Sequence, residues 1–499
     1  MNLSADHPVL LVLVPLAFSA LCPVVSILRR KFVFPWALAG VGGTSFLAWS
    51  LIGKVTPTRP VTYNVSGWPP PWGIQIRIDF TGLWMICIIT GICLLLTVYS
   101  LRYVEHELKP ERLTYYYTLF LLIFTAMIGF CITGDLFNLF VFMEIFSITS
   151  YALVAISGEK KSIRAALKYL LMGATSSLLV LLSIAFLYSL TGNLNMLEIS
   201  RTLARTPMKY IPVAAVALVL FIVGFAVKSA LFPLHIWLPE AHSIAPSPIS
   251  AMLSALVIKM GVFGILRLLF TVYGPGFARQ SASWHNITVI LTWAGAVSIV
   301  AGSSMAIIQR NLKVMIAYSS VAYIGYIILG INLLNNQGTT GGLFYILAHA
   351  MGKSCFFLVA GCFIYLHGAR YISDLRGLGR TMPVTAGAFA LTSMSIVGLP
   401  PTAGFMGKWY ILWGCFRKGG YALVVLALIG SLLSAVYCFR VVYYLFFTGP
   451  REEAVPLREA PASMYTPAAV LACGTLFFGI FSGLVMPSLT NAARVILTR

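Results

Sequence analysis

The chain has 499 residues, of which 59% are hydrophobic and only 10% charged, with a mean hydropathy of +0.90. A soluble domain is about 45–50% apolar and about 25% charged, so a water-soluble enzyme is excluded. Unbroken apolar runs of about 20 residues also exclude a transmembrane β-barrel, whose strands alternate. The net charge of +20 is scattered through short loops between apolar spans, a pattern of membrane topology and lipid-surface charge, with no nucleic-acid footprint. An all-α polytopic membrane protein remains.

Apolar runs predict about 14 transmembrane helices, at 8–28, 32–53, 79–101, 113–132, 135–157, 165–190, 211–232, 247–270, 286–308, 313–333, 341–366, 382–415, 421–447 and 465–488. No Lys or Arg precedes the first run, so Met1–Leu28 is a poor signal peptide and is expected to be retained. The longest loop, Lys54–Ile78, carries GWPPPWG at 67–73 and reads as a semi-rigid external crossing. No loop is long enough for a folded domain, leaving one membrane domain and no soluble catalytic lobe. The segment 382–415 exceeds one straight span and holds Gly398, Pro400, Pro401 and Gly404, which fits one discontinuous helix or two short ones. All nine cysteines fall in apolar spans without a C-x-x-C pair, the usage of small buried hydrophobes.

Orientation follows from loop cations. With the N-terminus outside, the inner loops hold 16: Arg29, Arg30, Lys31, Arg102, Lys109, Arg112, Lys160, Lys161, Arg164, Arg310, Lys313, Arg370, Arg376, Arg380, Arg451 and Arg458. The outer segments hold 11: Lys54, Arg59, Arg77, Arg201, Arg205, Lys209, Arg279, Arg417, Lys418, Arg494 and Arg499. Both termini are therefore expected outside a cell membrane.

Ionisable groups near the bilayer centre cost about 2.5–3.5 kcal/mol on insertion scales and mark function. Here they are Glu144 in the fifth span, Lys228 in the seventh, Lys259 in the eighth, His349 and Lys353 four residues apart in the eleventh, and Lys408 in the twelfth. Ion pairing alone could hold helices together, but one carboxylate cannot neutralise four lysines. Some must be neutral or hydrated, the condition for a proton relay. Prolines 233 and 239 break the seventh span, and Pro400-Pro401 the twelfth, each close to an intramembrane lysine. Broken helices at membrane depth are tolerated where backbone lines a cavity. Asp135 to Lys228 spans 93 residues and Lys313 to Lys408 spans 95, the spacing of a duplication inverted by an odd number of spans. His235 and His242, at the first break, are candidates for hydrating or gating an inlet, or for structural hydrogen bonding. The histidines at 7, 106, 235, 242, 285, 349 and 367 form no haem-ligand set, and no metal- or cofactor-binding residues are expected.

Four segments carry a resemblance. HIWLPEAHSIAPSPISAMLSALVIKMGVFGILR (235–267), NLKVMIAYSSVAYIGY (311–326), LAHAMGKSCFF (347–357) and GLPPTAGFMGKW (398–409) resemble the antiporter-like subunits of respiratory complex I, Mrp antiporters and energy-converting membrane hydrogenases. GDLFNLFVFMEIFSITSYAL (134–153) is most similar to the MrpD type. The similarity covers about 115–445. It implies two inverted five-helix repeats, 113–270 (helices 4–8) and 286–447 (helices 9–13), flanked by helices 1–3 (1–112) and helix 14 (465–499), with helices seven and twelve discontinuous. It also implies a mid-membrane relay of Glu144, Lys228, Lys259, His349, Lys353 and Lys408, with Glu144–Lys228 as an electrostatic switch. Lys408 resembles the lysine-bearing members, whereas the M-type complex I subunit has glutamate there. Tyr323 stands where some members have histidine, which puts a relay step there in doubt. The long lateral helix of the L-type subunit is not expected. The implied partners are other membrane subunits of a complex I-like, hydrogenase-like or Mrp complex, H+, and the lipid bilayer. The implied function is proton translocation driven by redox chemistry in those partners; the alternative is an MrpD-type member of a Na+/H+ antiporter without redox chemistry.

Overall fold

The computed structural model describes residues 7–449 and 458–498; Arg451 and Arg499, counted above for orientation, lie outside them. The architecture is helical. In chain order the helices are α1 (His7–Arg29), α2 (Val33–Trp49), α3 (Phe80–Glu107), α4 (Pro110–Ile132), α5 (Leu136–Val154), α6 (Lys160–Thr191), α7 (Met196–Leu203), α8 (Ile211–Lys228) and α9 (Leu238–Ile244). There follow α10 (Ser247–Ala278), α11 (Ala282–Ile308), α12 (Leu312–Asn332), α13 (Asn336–His367), α14 (Pro383–Val397), α15 (Ala403–Arg417), α16 (Tyr421–Phe446), α17 (Ala462–Ile480) and α18 (Met486–Thr498). Among the described residues, 12 helical segments are long and apolar enough to cross a membrane. One of them, Pro8–Trp49, comprises α1 and α2 joined by a tight turn at Arg30–Phe32. The chain is a multi-pass membrane protein.

Helix boundaries follow local chemistry. Asp79, Asp135, Asn195, Asn311 and Asn335 each accept a bond from a first-turn N–H, which caps α3, α5, α7, α12 and α13. Gly192 and Gly368, both left-handed, end α6 and α13. The Lys54–Ile78 loop differs from a plain crossing: Val61–Asn64 and Gln75–Ile78 pair as an antiparallel hairpin. Seven cysteines are buried as expected, while Cys87 is half-buried and Cys473 exposed.

α10 and α13 are the axis of the molecule, since their apolar stretches are wholly enclosed by other helices. Around α13 pack α12, α15, α17, α14 and α10, and α3 is tied to it by Trp84 Nε1 on Leu343 O (3.1 Å) and Tyr99 OH on Leu358 O (2.9 Å). In a bilayer, association rests on close packing and interhelical hydrogen bonds. Gly295 and Gly325 supply the first, because a Cβ at either would collide with the facing backbone of α12 or α11.

One backbone device occurs twice. Asp135 is bridged to Asn195, with Leu136 N–H on Leu194 O (2.9 Å) and Met196 N–H on Gly134 O (2.9 Å). Asn311 is bridged to Tyr371 in the same way, with Leu312 N–H on Arg370 O (3.0 Å) and Ile372 N–H on Arg310 O (2.9 Å). Both bridges span 60 residues, and each encloses a helix of 32 residues ending in a left-handed glycine.

Candidate functional site

The predicted residues fall into two groups. Lys259, His349, Lys353 and Lys408 are buried together on α10, α13 and α15, while Glu144 and Lys228 form a separate cluster between α5 and α8.

Lys259 follows a π-helical turn, Leu253–Val257, which widens the helix so that Nζ reaches back five residues to Ser254 O at 2.9 Å. Ser254 Oγ is 2.8 Å from Ser320 Oγ, and Ser320 Oγ donates to Ile316 O at 3.1 Å. The same carbonyl accepts from Lys353 Nζ at 3.1 Å, and Lys353 also donates to Ser319 Oγ. Polar atoms of α10, α12 and α13 thus connect Lys259 to Lys353 across an otherwise apolar core.

From Lys353 the line continues through Tyr323, whose ring centre is 4.8 Å from Lys353 Nζ and 5.5 Å from Lys408 Nζ. His349 stacks on that ring at 5.2 Å, and neither of its nitrogens has a hydrogen-bond partner. Lys408 Nζ donates to Ile396 O, Val397 O and Ser431 Oγ, each at 3.0 Å, and lies 4.7 Å from the Tyr326 ring centre. The reason is the break after Val397. The last carbonyls of α14 have no next turn to accept from and form the negative end of the helix dipole, so a cation is the natural cap.

The first break is closed differently. Trp237 Nε1 donates to Val227 O at 3.0 Å, and Phe232 N–H to Ser298 Oγ at 3.1 Å. Lys228, at the end of α8, instead turns toward α5, where its buried Nζ donates to Ser147 Oγ at 2.7 Å and Tyr151 OH at 3.4 Å. Glu144 interacts electrostatically with Lys228, but the two make no direct ion pair, and Glu144 Oε1 is buried without a hydrogen bond. Among the described residues no carboxylate lies within ion-pairing distance of Lys228, Lys259, Lys353 or Lys408. Their ammonium groups rest on hydroxyls, carbonyls and aromatic faces instead.

His235 is buried against Phe232 (5.3 Å) and Tyr318 (6.0 Å). His242 is fully buried near Trp237 and Phe357, with both ring nitrogens unpartnered. Among the described residues no group of three or more His, Cys, Asp and Glu side chains is suited to a metal.

Apart from Tyr323, several contributors were not singled out from the sequence. Ser319, Ser320, Tyr323 and Tyr326 lie in one run, AYSSVAYIGY, where hydroxyls recur at helical spacing; that recurrence was the available signal. Lys313, expected in an inner loop, is instead buried in the first turn of α12, with Nζ on Ala245 O at 2.6 Å. The paired Asp79 and Arg267 are far apart in sequence. The Arg267 guanidinium spans both Asp79 oxygens and donates to Cys131 O at 3.2 Å.

Comparison with known proteins bears on this arrangement. Residues 133–434 match the family described as "NADH:quinone oxidoreductase/Mrp antiporter, TM". The NADH-quinone oxidoreductase subunit N of Desulforudis audaxviator is 38% identical, over 98% of this chain and 99% of its own. The D-type subunit of the Na(+)/H(+) antiporter of Bacillus subtilis is 30% identical, over 87% and 86%. A chain of the membrane-bound sulfane sulfur reductase, an archaeal respiratory membrane complex, superposes with a TM-score of 0.90 at 30% identity, over 98% of this chain and 97% of that one. A chain of respiratory complex I from Thermus thermophilus gives 0.76 at 26% identity, over 96% and 99%. With a family match across more than half its length and relatives aligned nearly end to end, the chain belongs to the transmembrane antiporter-subunit family shared by NADH:quinone oxidoreductase and Mrp antiporters.

Proposed function

We propose that this chain is the proton-translocating, antiporter-like membrane subunit of a multisubunit complex, driven by redox chemistry in partner subunits. The carrying observation is the buried line Lys259–Lys353–Lys408, joined by Ser254, Ser320 and Tyr323, with no carboxylate among the described residues paired to any of the three lysines. A permanent charge in such a place is costly, whereas a lysine that gains and loses a proton is stable in both states when oxygen acceptors and hydration are at hand.

Protons come from the inner side near Lys259, pass His349 and Lys353 to Lys408, and leave outside. Glu144–Lys228 acts as the electrostatic switch. Moving Glu144 away removes stabilisation of the Lys228 charge and pushes its proton or its field onward. The gap between the two side chains supports a switch better than a permanent ion pair does.

In this reading the chain has fourteen crossings: α1 and α2 count separately, and α14 with α15 form the discontinuous twelfth. The twin bridges at Asp135 and Asn311 support two inverted repeats. Both termini lie outside the cell membrane. The archaeal respiratory relative and the NADH-quinone oxidoreductase relative favour redox partners. The Bacillus subtilis antiporter relative keeps a Na+/H+ antiporter as the second reading.

Purification of the tagged protein from native membranes, with partners identified by mass spectrometry, separates the two. Iron–sulfur or hydrogenase-like subunits are expected; small Mrp-like partners alone would establish the antiporter instead. Undiminished ion pumping by an assembled Glu144→Ala or Lys259→Met complex would sink the relay.

A further inference from the structure

Far from the relay, the first two helices are the least covered part of the bundle. In the α1–α2 segment 28% of the most apolar stretch is buried, against all of it in α10 and α13. The turn between them carries three consecutive cations, Arg29, Arg30 and Lys31, and all three are exposed. Arg29 is extended (φ −157°, ψ 107°), which ends α1, and Val33 N–H donates to Arg30 O, which keeps the turn tight. Among the described residues no carboxylate pairs with any of the three.

Beneath the cations lies a groove of about 550 Å³, walled by Val25 and Leu28 of α1 and by Phe32, Pro35, Trp36 and Ala39, with Arg29 at its surface end. Its floor is fixed. Trp36 Nε1 donates to Phe18 O at 2.8 Å, and the two rings stack at 4.4 Å. Phe18 in turn lies so close to α2 that a Cβ on Gly40 would meet it at 2.8 Å. The groove continues down α2, where Pro35, Trp36, Ala39, Gly42 and Gly43 share one face at helical spacing. A Cβ on Gly42 or Gly43 would meet nothing within 4 Å, and exposed Phe46 ends the stripe one turn further on. Phe32 to Gly43 covers about 16 Å at about 1.5 Å per residue, the depth of one leaflet of a core about 30 Å thick.

We infer that this turn and groove seat one anionic phospholipid, its phosphate held by Arg29, Arg30 and Lys31 and one acyl chain laid along α2. Guanidinium meets phosphate through paired N–H donors, and basic pockets at helix ends take lipid headgroups. Charge complementarity decides the occupant. A partner helix would fill an apolar groove equally well, but it would have to bring carboxylates to the same depth as the three cations. A phospholipid carries both parts already joined, negative charge at the surface and hydrocarbon beneath. The lipid would thereby cover a helix pair that the rest of the chain leaves open. The seat does not depend on proton movement, so its fate and that of the relay are separate.

The test uses the assembled complex, delipidated in mild detergent and incubated with phosphatidylglycerol or phosphatidylcholine. Lipid retained after gel filtration is measured by mass spectrometry. Wild type is expected to retain phosphatidylglycerol in preference. Arg29→Gln/Arg30→Gln/Lys31→Gln is expected to weaken that retention roughly tenfold or more. Ala39→Leu/Gly42→Leu keeps all three cations but fills the groove, and it is expected to lose the same lipid. Loop cations also orient helices, so this second variant decides if the first does not assemble. Wild-type retention in the groove variant overturns the seat, because diffuse surface charge then suffices. Equal retention of the two lipids by wild type overturns it as well. A photo-cross-linking amino acid placed at position 39 in native membranes is expected to capture lipid. Capture of another subunit there would show that a partner helix covers the groove and would overturn the inference.

Discussion

Lys353 and Lys408 share one aromatic ring: their ammonium nitrogens lie 4.8 Å and 5.5 Å from the centre of Tyr323. The ring's negative face stabilises a cation, by up to about 2 kcal/mol where water is excluded. Two ammonium charges this close also repel. In the proposed relay, the shared ring is where protonation of one lysine would be felt by the other.

Tyr323 is thus expected to act chiefly through its ring. Tyr323→Phe keeps the ring and loses the hydroxyl bond to Ile396 O, 2.5 Å long, at a cost of about 1 kcal/mol in stability. Transport should stay within a few-fold of wild type. Tyr323→Leu removes the shared face and should slow transport roughly tenfold, about 1.4 kcal/mol on the barrier. Equal rates in the two variants, measured in assembled complexes, would show that the ring is only filling space.

Lys408 caps α14 and, in the proposed relay, also carries the proton. Lys408→Met should abolish transport and also leave Val397 O short of a donor, while Ile396 O keeps its bond from Tyr323, for a loss of roughly 1–3 kcal/mol in stability. Lys408→Arg should restore the cap but not the transport, since guanidinium does not release its proton. Thermal denaturation in detergent and vesicle transport measure the two effects independently.

Gly398 is constrained twice. Its φ of +89° belongs to the left-handed region, and a Cβ there would approach Lys408 Cδ to 2.9 Å. Gly398→Ala should destabilise the break by roughly 1–3 kcal/mol and displace the lysine stem. The expected result is a lowered Tm together with impaired transport, while Gly387→Ala, where a Cβ meets nothing, serves as the control.

Asp79 ties the start of α3 to Arg267 in the central helix. Burial alone would raise its carboxyl, but the guanidinium and the bonds from Gly82 N–H and Thr81 outweigh that and hold it at about 2. A folded value below the unfolded value of about 3.9 gives stability that is fully present above pH 4 and lost as pH falls toward 2, on the order of 2–3 kcal/mol. Asp79→Asn should flatten that acid limb. Arg267→Ala, which strands a buried carboxylate, should cost about 3–5 kcal/mol at neutral pH. An unchanged acid limb in Asp79→Asn would falsify this assignment.

Much of the site was legible because lysines in apolar runs are conspicuous. Lys228, Lys259, Lys353 and Lys408 stand out against long stretches of Leu, Ile, Val and Ala, and each is buried in the structure. Their connectors were harder to see, since Ser319 and Ser320 read as ordinary small helix residues until α10 and α13 close on them. Lys313 was misplaced because a cation in the first turn of a span looks the same whether it faces lipid headgroups or folds inward onto Ala245 O. The Asp79–Arg267 pair was invisible, as no sequence pattern links residues 188 apart.

The sequence by itself determined the membrane class, the rough bounds of most of the apolar helices, the two breaks and the lysines set within apolar runs. These follow from local properties: hydropathy over about 20 residues, proline geometry and the cost of burying charge. Only the tertiary structure decided which helices are central, that α10 and α13 are enclosed while α5 keeps an open face, that Lys408 caps α14, and that Glu144 stands apart from Lys228. The physical reason is that lipid and protein interior are equally apolar, so hydropathy marks a helix as membrane-spanning without saying what it touches; that is settled by close packing and hydrogen bonding between helices.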